Sequence, residues 1–288
     1  CRRWAESVNI SGPGNNFELL FEESLEGSDA SLSLPRQLKD IYGGDWTIPS
    51  NRQYRYSNFV ISHDGKTSFS VQHHEGGGDI SGFNRNDQWV MALCRARADA
   101  VTVGANTLRT EPGHIWSSQF IFPNEGEAFS DFRKQEGRRP YPYQVFVTRS
   151  GDINFDAEVF KDSKLDVIIA TTANGAQKVR SMKLENVVIM ELGASDVDLD
   201  LMHKRLQLEF GIMTVLCEGG PKFYASMIQA RQIEEEFLTV SPVVVGGTST
   251  QYRPGLFDGI AFEPGNTYGV TLQSTRRAGN MLFIRSRY

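Results

Sequence analysis

The chain has 288 residues, of which 40% are hydrophobic and 23% are charged, proportions that are ordinary for a globular protein. The net charge is −5 and no basic stripe stands out, which argues against nucleic acid as the main partner. No apolar run approaches the length of a membrane span, so we expect no membrane partner.

Residues 1–53 show little periodicity. The cluster Ser-Gly-Pro-Gly-Asn-Asn at 11–16 is typical of a linker-like turn, and only 34–42 is predicted to be helical, with Pro35 near its start. We therefore predict an irregular N-terminal extension that packs against a main domain. Residues 54–288 contain no linker-like boundary, which predicts that they form that domain.

Strand and helix patterns alternate after residue 53, because short apolar runs alternate with segments of helical periodicity. The predicted strands cover 54–62, 99–104, 144–148, 166–172, 186–190, 213–217, 236–245, 267–275 and 280–285. The predicted helices cover 86–98, with Asn86 or Asp87 as its cap, then 173–182, 199–210 and a segment that starts with Pro221. We expect a mobile loop at the glycine-rich 75–82 and a long connection at 113–141.

This order of elements predicts an α/β fold with a mixed, mainly parallel sheet flanked by helices. Successive parallel strands need crossover helices, and those helices cover both faces of the sheet. The last two strands have no helix between them, so we expect an antiparallel pair at the C-terminal end.

The cysteines and histidines predict no metal site. Cys1, Cys94 and Cys217 are odd in number and scattered, so they form neither a disulfide framework nor a CxxC pair, which favours a reducing, cytoplasmic location. Four of the five histidines stand at positions 63, 73, 74 and 114. Their spacing lacks the regularity of metal ligands, and we expect no bound metal.

A strand, a diglycine corner and a helix follow one another after residue 212. The apolar run at 213–217 is too short for a helix, and Pro221 is tolerated in a first helical turn because its N–H would have no partner there. Gly219 and Gly220 lack a Cβ, so another molecule can approach the backbone closely. The free N–H groups and the helix dipole suit this corner to a phosphate or pyrophosphate.

Three other predicted strands end in polar or glycine-rich segments, at 64–66, 104–107 and 148–150. Ligands of α/β sheets bind at the carboxyl ends of the strands, which makes these segments candidate binding loops. Gly104 and Thr107 can supply N–H and hydroxyl donors to a second phosphate. Arg149, between Thr148 and Ser150, suits a phosphomonoester such as the 2′-phosphate that separates NADP from NAD. Neither a Rossmann GxGxxG nor a Walker A motif occurs.

Four segments stand out by their order and spacing: NFVISHDGK at 58–66, RARADAVTVGANTLR at 95–109, EGGP at 218–221 and SPVVVGG at 241–247. Together they resemble the reductase domain of riboflavin biosynthesis, which has the dihydrofolate reductase fold. The resemblance runs from about residue 54 to the C-terminus. It implies NADPH as the cofactor, a homodimer, and reduction of the ribosyl group of 5-amino-6-(5-phosphoribosylamino)uracil to ribityl.

The resemblance also implies site residues, and it adds Glu111 and the helix start through Ser226 to the cofactor contacts. With the strand ends above, the predicted cofactor contacts are Gly104, Thr107, Glu111, Thr148, Arg149, Ser150, Gly219, Gly220, Pro221, Lys222 and Phe223. The predicted substrate contacts are Asn58, Ser81 and Arg95. Asp64 and Glu218 are predicted to be catalytic, because each lies at a strand end beside the expected reacting centre.

The reaction implied by the resemblance requires few catalytic groups from the protein. The open-chain imine of the ribosylamine accepts a hydride at C1′, and its nitrogen needs a proton from an acid or from water. We hypothesise that Asp64 or Glu218 orients the substrate and relays that proton. The alternative for Glu218 is a capping or salt-bridge role at the helix start, and for Arg95 a solvated helix charge.

The sequence departs from the family pattern at several points. His63 stands where the family has an apolar residue, and Glu111-Pro112 replaces Asp-Asp-Pro without a recognisable basic segment after it. The zinc-containing deaminase half is not seen, which predicts a stand-alone reductase. The substrate alternatives are therefore dihydrofolate, another pterin or a small imine, and a protein that binds NADP without turnover is the alternative of a different class.

Overall fold

The computed structural model describes residues 12–23, 31–182 and 186–288, so that Cys1 lies outside the described residues. Within them, the strands are β1 (Glu18–Glu22), β2 (Ser31–Leu32), β3 (Ile48–Pro49), β4 (Tyr54–Ile61), β5 (Ala100–Gly104), β6 (Tyr143–Thr148), β7 (Val167–Thr171), β8 (Val187–Glu191), β9 (Thr214–Cys217), β10 (Glu235–Val240), β11 (Thr271–Ala278) and β12 (Met281–Arg287). The helices are α1 (Arg36–Tyr42), α2 (Gly77–Ser81), α3 (Arg85–Arg97), α4 (Ala105–Thr110), α5 (Ser118–Ile121), α6 (Gly126–Gln135), α7 (Ala173–Arg180), α8 (Leu199–Phe210) and α9 (Pro221–Gln229).

Ten of these strands form one sheet in the order β1-β11-β12-β10-β4-β9-β5-β6-β7-β8. From β10 to β8 every neighbouring pair is parallel. From β10 to β1 every neighbouring pair is antiparallel. The predicted α/β fold, with a mainly parallel sheet and antiparallel C-terminal strands, is confirmed.

Helices pack against both faces of the sheet, and successive side chains of a strand point to opposite faces. On one face, α1, α3 and α6 contribute Leu38, Trp89 and Phe129 to a core that includes Tyr56 of β4. On the other face, α8 and α9 contribute side chains such as Met202 and Met227. The carboxyl ends of the parallel strands therefore meet at one rim between two packed layers.

Most predicted elements lie within a few residues of the observed ones. The helix Leu199–Phe210 is confirmed at both ends, where the Asp198 side chain accepts from Leu201 N and Gly211 adopts the left-handed conformation. The strand predicted at 236–245 is too long, because β10 ends at Val240. Pro242 follows, and a proline has no N–H to donate to a ladder.

Two connections predicted to lack regular structure contain helices, which corrects those predictions. The segment 75–82 includes α2, where a Cβ on Gly76 would overlap Glu111 Oε1 and one on Gly78 would lie 2.7 Å from the Phe83 ring. The glycines there permit close packing rather than mobility. The connection 113–141 includes α5 and α6, and α6 buries Phe129 and Phe132 at helical spacing.

The described part of the N-terminal segment is more regular than predicted. β1 pairs with β11 and extends the sheet. Phe17 packs against Tyr42, Trp89 and Phe283, with ring centroids 5.9, 5.5 and 5.1 Å away. The division of the chain at residue 53 into an extension and a domain remains a prediction.

Candidate active site

The diglycine corner joins β9 to α9 at the rim of the sheet. A Cβ on Gly219 would overlap the backbone of Val103 and Gly104 on the neighbouring strand. The two chain segments therefore approach each other too closely for any residue other than glycine at position 219. Gly220 has a φ of +41°, and α9 starts at Pro221 with no side-chain cap within the described chain. The first-turn N–H groups of α9 are therefore left for an anion.

The residues predicted to bind cofactor at β5 lie beside this corner. A Cβ on Gly104 would lie 3.3 Å from Phe223 Cβ, and a Cβ on Gly220 would lie 3.1 Å from Thr107 Oγ1. The structure thus brings together Gly104, Thr107, Gly220 and Phe223, although they come from two separate parts of the sequence. Lys222 is exposed on the same helical turn.

The predicted segment 148–150 lies one strand farther along the rim, because β6 pairs with β5. Thr148 is buried, whereas Arg149 is exposed and its Nη1 lies 3.3 Å from Asp196 Oδ1. Ion pairs this exposed contribute little to stability. The Arg149 guanidinium can therefore leave Asp196 for a phosphate at low energetic cost.

Arg95 of α3 holds Glu218 in a buried ion pair. Arg95 Nε lies 3.0 Å from both carboxylate oxygens and Nη2 lies 2.7 Å from Oε2, with side-chain exposures of 2% and 6%. Nη1 donates to the carbonyls of Ile115 and Ser117 at 3.5 and 3.4 Å, and Nη2 lies 2.8 Å from His114 Nε2. Since each guanidinium nitrogen has a protein acceptor, the alternative of a solvated helix charge is wrong. The predicted substrate contact of Arg95 remains a prediction.

His114 is a site residue that the sequence did not indicate. Burial, together with the positive charge of Arg95, holds its pKa well below the ordinary value. The neutral imidazole can therefore accept from Arg95 Nη2 through Nε2. Its ring packs against Trp116 and Phe120, each with centroids 4.9 Å apart, which fixes its orientation.

Asp64 fastens the turn after β4 to the segment after β10. Its carboxylate accepts from Val245 N at 2.9 Å, Gly246 N at 2.7 Å and Ser62 Oγ at 2.7 Å. The Val245 hydrogen bond is the main cause that lowers the pKa of this carboxyl well below its usual range. An acid of this kind carries no proton at neutral pH, so these contacts favour a structural role. The predicted catalytic role of Asp64 remains a prediction.

Asp87, in the first turn of α3, is a second buried acid of the site. The predicted cap at Asn86 or Asp87 is wrong, because Asn84 Oδ1 accepts from Asn86 N and Asp87 N at 2.9 and 3.3 Å. Asp87 is 3% exposed, and burial raises its pKa to about 6. Glu218 raises it further, whereas hydrogen bonding by Thr239 and Ser81 opposes the shift. The sequence did not identify Asp87 as a site residue, because aspartate is common at helix starts.

Asn58, a predicted substrate contact, lies on the sheet face that carries α3. Tyr56, two residues earlier on β4, points to that face and donates from its hydroxyl to Cys94 O at 2.7 Å. Asn58 is 5% exposed, and its Oδ1 is buried without a hydrogen-bond partner in the described part of the chain. Ser81, the other predicted contact, donates to Gly78 O at 3.2 Å.

Glu111, a predicted cofactor contact, lies under α2. Its carboxylate packs against the backbone at Gly76, and burial raises its pKa.

Over the described ranges, no group of three or more His, Cys, Asp or Glu side chains is placed to hold a metal ion. The same ranges contain no helix with the length and apolar character that a membrane crossing needs.

Comparison with known proteins finds several relatives. A family described as the RibD C-terminal domain matches residues 54–282. The 2,5-diamino-6-ribosylamino-4(3H)-pyrimidinone 5′-phosphate reductase of Archaeoglobus fulgidus is 23% identical over 211 residues, which cover 73% of this chain and 89% of that protein. The protein of the same description from Aquifex aeolicus is 25% identical over 173 residues, 59% of this chain and 66% of its own length. A pyrimidine reductase-like protein of Corynebacterium diphtheriae has a similar fold, with a TM-score of 0.63 at 21% identity over 82% of this chain and 91% of that one.

Proposed function

Because this chain belongs to the RibD C-terminal domain family, we propose that it is an NADPH-dependent reductase that converts the ribosyl group of a phosphorylated ribosylaminopyrimidine to ribityl. The substrate is 5-amino-6-(5-phosphoribosylamino)uracil or its 2-amino counterpart, the 2,5-diamino compound for which two relatives are named. The observation that carries this proposal is that the glycine corner and the buried Arg95–Glu218 pair adjoin at one strand end.

The corner fits a dinucleotide. Gly220 and the uncapped start of α9 suit the pyrophosphate, because both leave backbone N–H groups accessible. Thr107 adds a hydroxyl beside Gly220, and Arg149 is the group proposed for the 2′-phosphate. When bound, NADPH supplies the hydride that reduces the imine carbon.

Glu218 is the residue that we propose contacts the substrate. Arg95 fixes the carboxylate through three short N–O contacts, and burial of both groups strengthens that interaction. We propose that Glu218 orients the ribosylamine and that Arg95 is a positioning residue for it. The proton that the nitrogen of the reduced imine needs comes from water, and Glu218 or Asp64 can relay it.

The test combines binding and turnover. We expect NADPH to bind more tightly than NADH in fluorescence titrations, and the absorbance of its nicotinamide band to fall when the ribosylaminopyrimidine phosphate is added. Glu218→Gln should lower kcat/KM by about 10- to 100-fold and leave NADPH affinity unchanged, because it removes a charged substrate contact. Asp131→Asn, which removes an ion pair with Lys134 on the surface of α6, is the matched control.

Three results would contradict the proposal. One is NADPH that does not bind, and another is full activity in Glu218→Gln. The third is bound NADPH that no pyrimidine, dihydrofolate or other pterin substrate oxidises, which would favour a binding protein without turnover.

We also propose a cytoplasmic homodimer. The antiparallel end of the sheet supports it, because Leu20 of β1 and Leu272 of β11 are exposed there, and large apolar side chains at a strand edge are typical of interfaces. Sedimentation of the purified chain tests the proposal. A single species with the mass of one chain at micromolar concentration would contradict it.

A further inference from the structure

We infer that His114 is a positioning residue of the site, which holds the Arg95 guanidinium in the orientation that presents the Glu218 carboxylate to the substrate. The inference rests on the proposed function, because it gives His114 a part in that reaction. It goes further by assigning a role to a histidine that no sequence motif indicated.

The first argument is a count of the N–H groups of Arg95. An arginine has five N–H donors and cannot accept a hydrogen bond. Nε and Nη2 donate to Glu218, and Nη1 donates to the carbonyls of Ile115 and Ser117. The second N–H of Nη2 is left for His114 Nε2, which lies 2.8 Å from that nitrogen. His114 is therefore the acceptor that completes the set.

The second argument is the protonation state that this contact requires. Since Arg95 can only donate, His114 Nε2 carries no proton, and the proton of the neutral ring lies on Nδ1. Burial and the charge of Arg95 favour the neutral ring, because both lower the pKa of His114. An imidazolium would turn an N–H toward the guanidinium and bring two like charges together. The neutral imidazole is thus matched to its partner.

The third argument is the rigidity of the segment that carries His114. The N–H and the carbonyl of the buried Trp116 are hydrogen-bonded to the side chain of Gln144 on β6, at 3.0 and 3.1 Å. The rings of Trp116 and Phe120 pack against the imidazole. A group that orients another must itself be held by packing and hydrogen bonds. These contacts hold the acceptor in place within the free protein.

The orientation of Arg95 decides which oxygen of Glu218 can meet the substrate. Oε2 accepts from Nη2 at 2.7 Å, and both oxygens lie 3.0 Å from Nε. Oε1 therefore keeps more of its capacity to accept a hydrogen bond from the substrate. Rotation of the guanidinium would redirect this oxygen, and a misplacement of about 1 Å can lower a rate by as much as about 100-fold.

The experiment compares His114→Phe, which keeps an aromatic ring but removes the acceptor, with His114→Gln, whose amide oxygen can accept from Arg95. We expect His114→Phe to lower kcat/KM for the ribosylaminopyrimidine phosphate by about 10-fold or more and to leave NADPH affinity unchanged. His114→Gln should stay within about threefold of the wild-type chain. Asp131→Asn should leave kcat/KM unchanged.

A double-mutant cycle separates positioning from a general loss of structure. If His114 acts through Arg95 on Glu218, His114→Phe should lower kcat/KM by less than about twofold in a chain that already carries Glu218→Gln. A defect in folding would instead lower activity by the same factor in both backgrounds.

Nitrogen NMR of the full chain supplies a readout that needs no substrate. At neutral pH we expect the His114 ring to be neutral, with its proton on Nδ1. The Nε–H of Arg95 should give a resolved signal that exchanges slowly with water, because it is buried and hydrogen-bonded. In His114→Phe that signal should exchange faster.

An imidazolium, or a proton on Nε2, in the wild-type chain would overturn the inference, even if His114→Phe fails to fold. Unchanged kcat/KM in His114→Phe, equal losses in His114→Phe and His114→Gln, or additive losses in the cycle would overturn it as well. Failure of the reductase proposal would show differently, as NADPH that the wild-type chain does not oxidise. The tautomer of His114 and the exchange of Arg95 would then still decide whether the imidazole positions the ion pair.

Discussion

His203 lies inside α8 with both ring nitrogens buried and without a hydrogen-bond partner in the described part of the chain. Burial lowers its pKa to about 3, and the nearby Arg55 adds to this effect. The unfolded state therefore binds the proton more readily than the folded state. Stability from this residue is fully present above the unfolded pKa and is lost as the pH falls below it.

We expect His203→Leu to flatten the dependence of stability on pH. Between about pH 7.5 and pH 5.5 the wild-type chain should lose about 1 kcal/mol of unfolding free energy through His203, and the variant should not. Urea unfolding at both pH values measures the difference. His114 should preserve part of the slope, because its pKa is lowered in the same sense. An unchanged slope in His203→Leu, or a loss of slope in the exposed His63→Leu, would contradict the assignment.

Single residues also show where sequence reasoning stops. Gly219, Gly220 and Pro221 form a local pattern whose chemistry follows from adjacent residues, so the corner could be predicted. Arg95 and Glu218 are 123 positions apart, and only the packing of α3 against β9 reveals that each neutralises the other. Asp87 looked like a cap because the sequence cannot tell which of several polar residues fills that position.

At the level of elements, the β9–α9 corner has two glycines with different duties. Gly219 is required by the close approach of β5, because any Cβ there would overlap backbone atoms. Gly220 is required mainly by its φ of +41°, and a Cβ there would meet only the Thr107 hydroxyl. The same substitution should therefore have different effects at neighbouring positions.

We predict that Gly219→Ala costs more than about 3 kcal/mol of stability or prevents folding. Gly220→Ala should cost about 1 to 3 kcal/mol through backbone strain and should weaken NADPH binding by roughly tenfold. Thermal melts and NADPH titrations separate the two effects. A Gly219→Ala chain as stable as the wild type, or a Gly220→Ala chain with unchanged NADPH affinity, would contradict this account.

Elements were predicted well where one periodicity ran between clear boundaries. α8 is an example, with Asp198 before it and Gly211 after it. α2 was missed because glycine content indicates freedom of the isolated chain, whereas contacts with Glu111, Val60 and Phe83 order these glycines in the fold. Such contacts come from distant parts of the sequence and have no local signal.

For the whole molecule, the question is whether the N-terminal segment unfolds with the rest. β1 extends the sheet, Glu22 pairs with the buried Arg276 at 2.6 Å, and Phe17 enters the core beside Trp89. These contacts favour one cooperative unit. The predicted division at residue 53 would instead allow the segment to separate first.

Phe17→Ala tests this point. We expect the variant to lose about 3 kcal/mol of unfolding free energy in a single transition, because it leaves a cavity between α1, α3 and β12. Leu208→Ala on α8 is the control, since Leu208 is 83% exposed and its loss should cost less than about 0.5 kcal/mol. An early, separate transition in Phe17→Ala would support an independent extension.

Phe17 and Phe283 touch across 5.1 Å, although 266 positions separate them along the chain. During translation, β11 and β12 leave the ribosome long after Phe17 has emerged. Until then, Phe17 and the face of α3 that carries Trp89 remain partly exposed to solvent. Contacts between such distant positions also form slowly. A nascent chain stalled before residue 271 should therefore be a target for chaperones that bind exposed aromatic side chains.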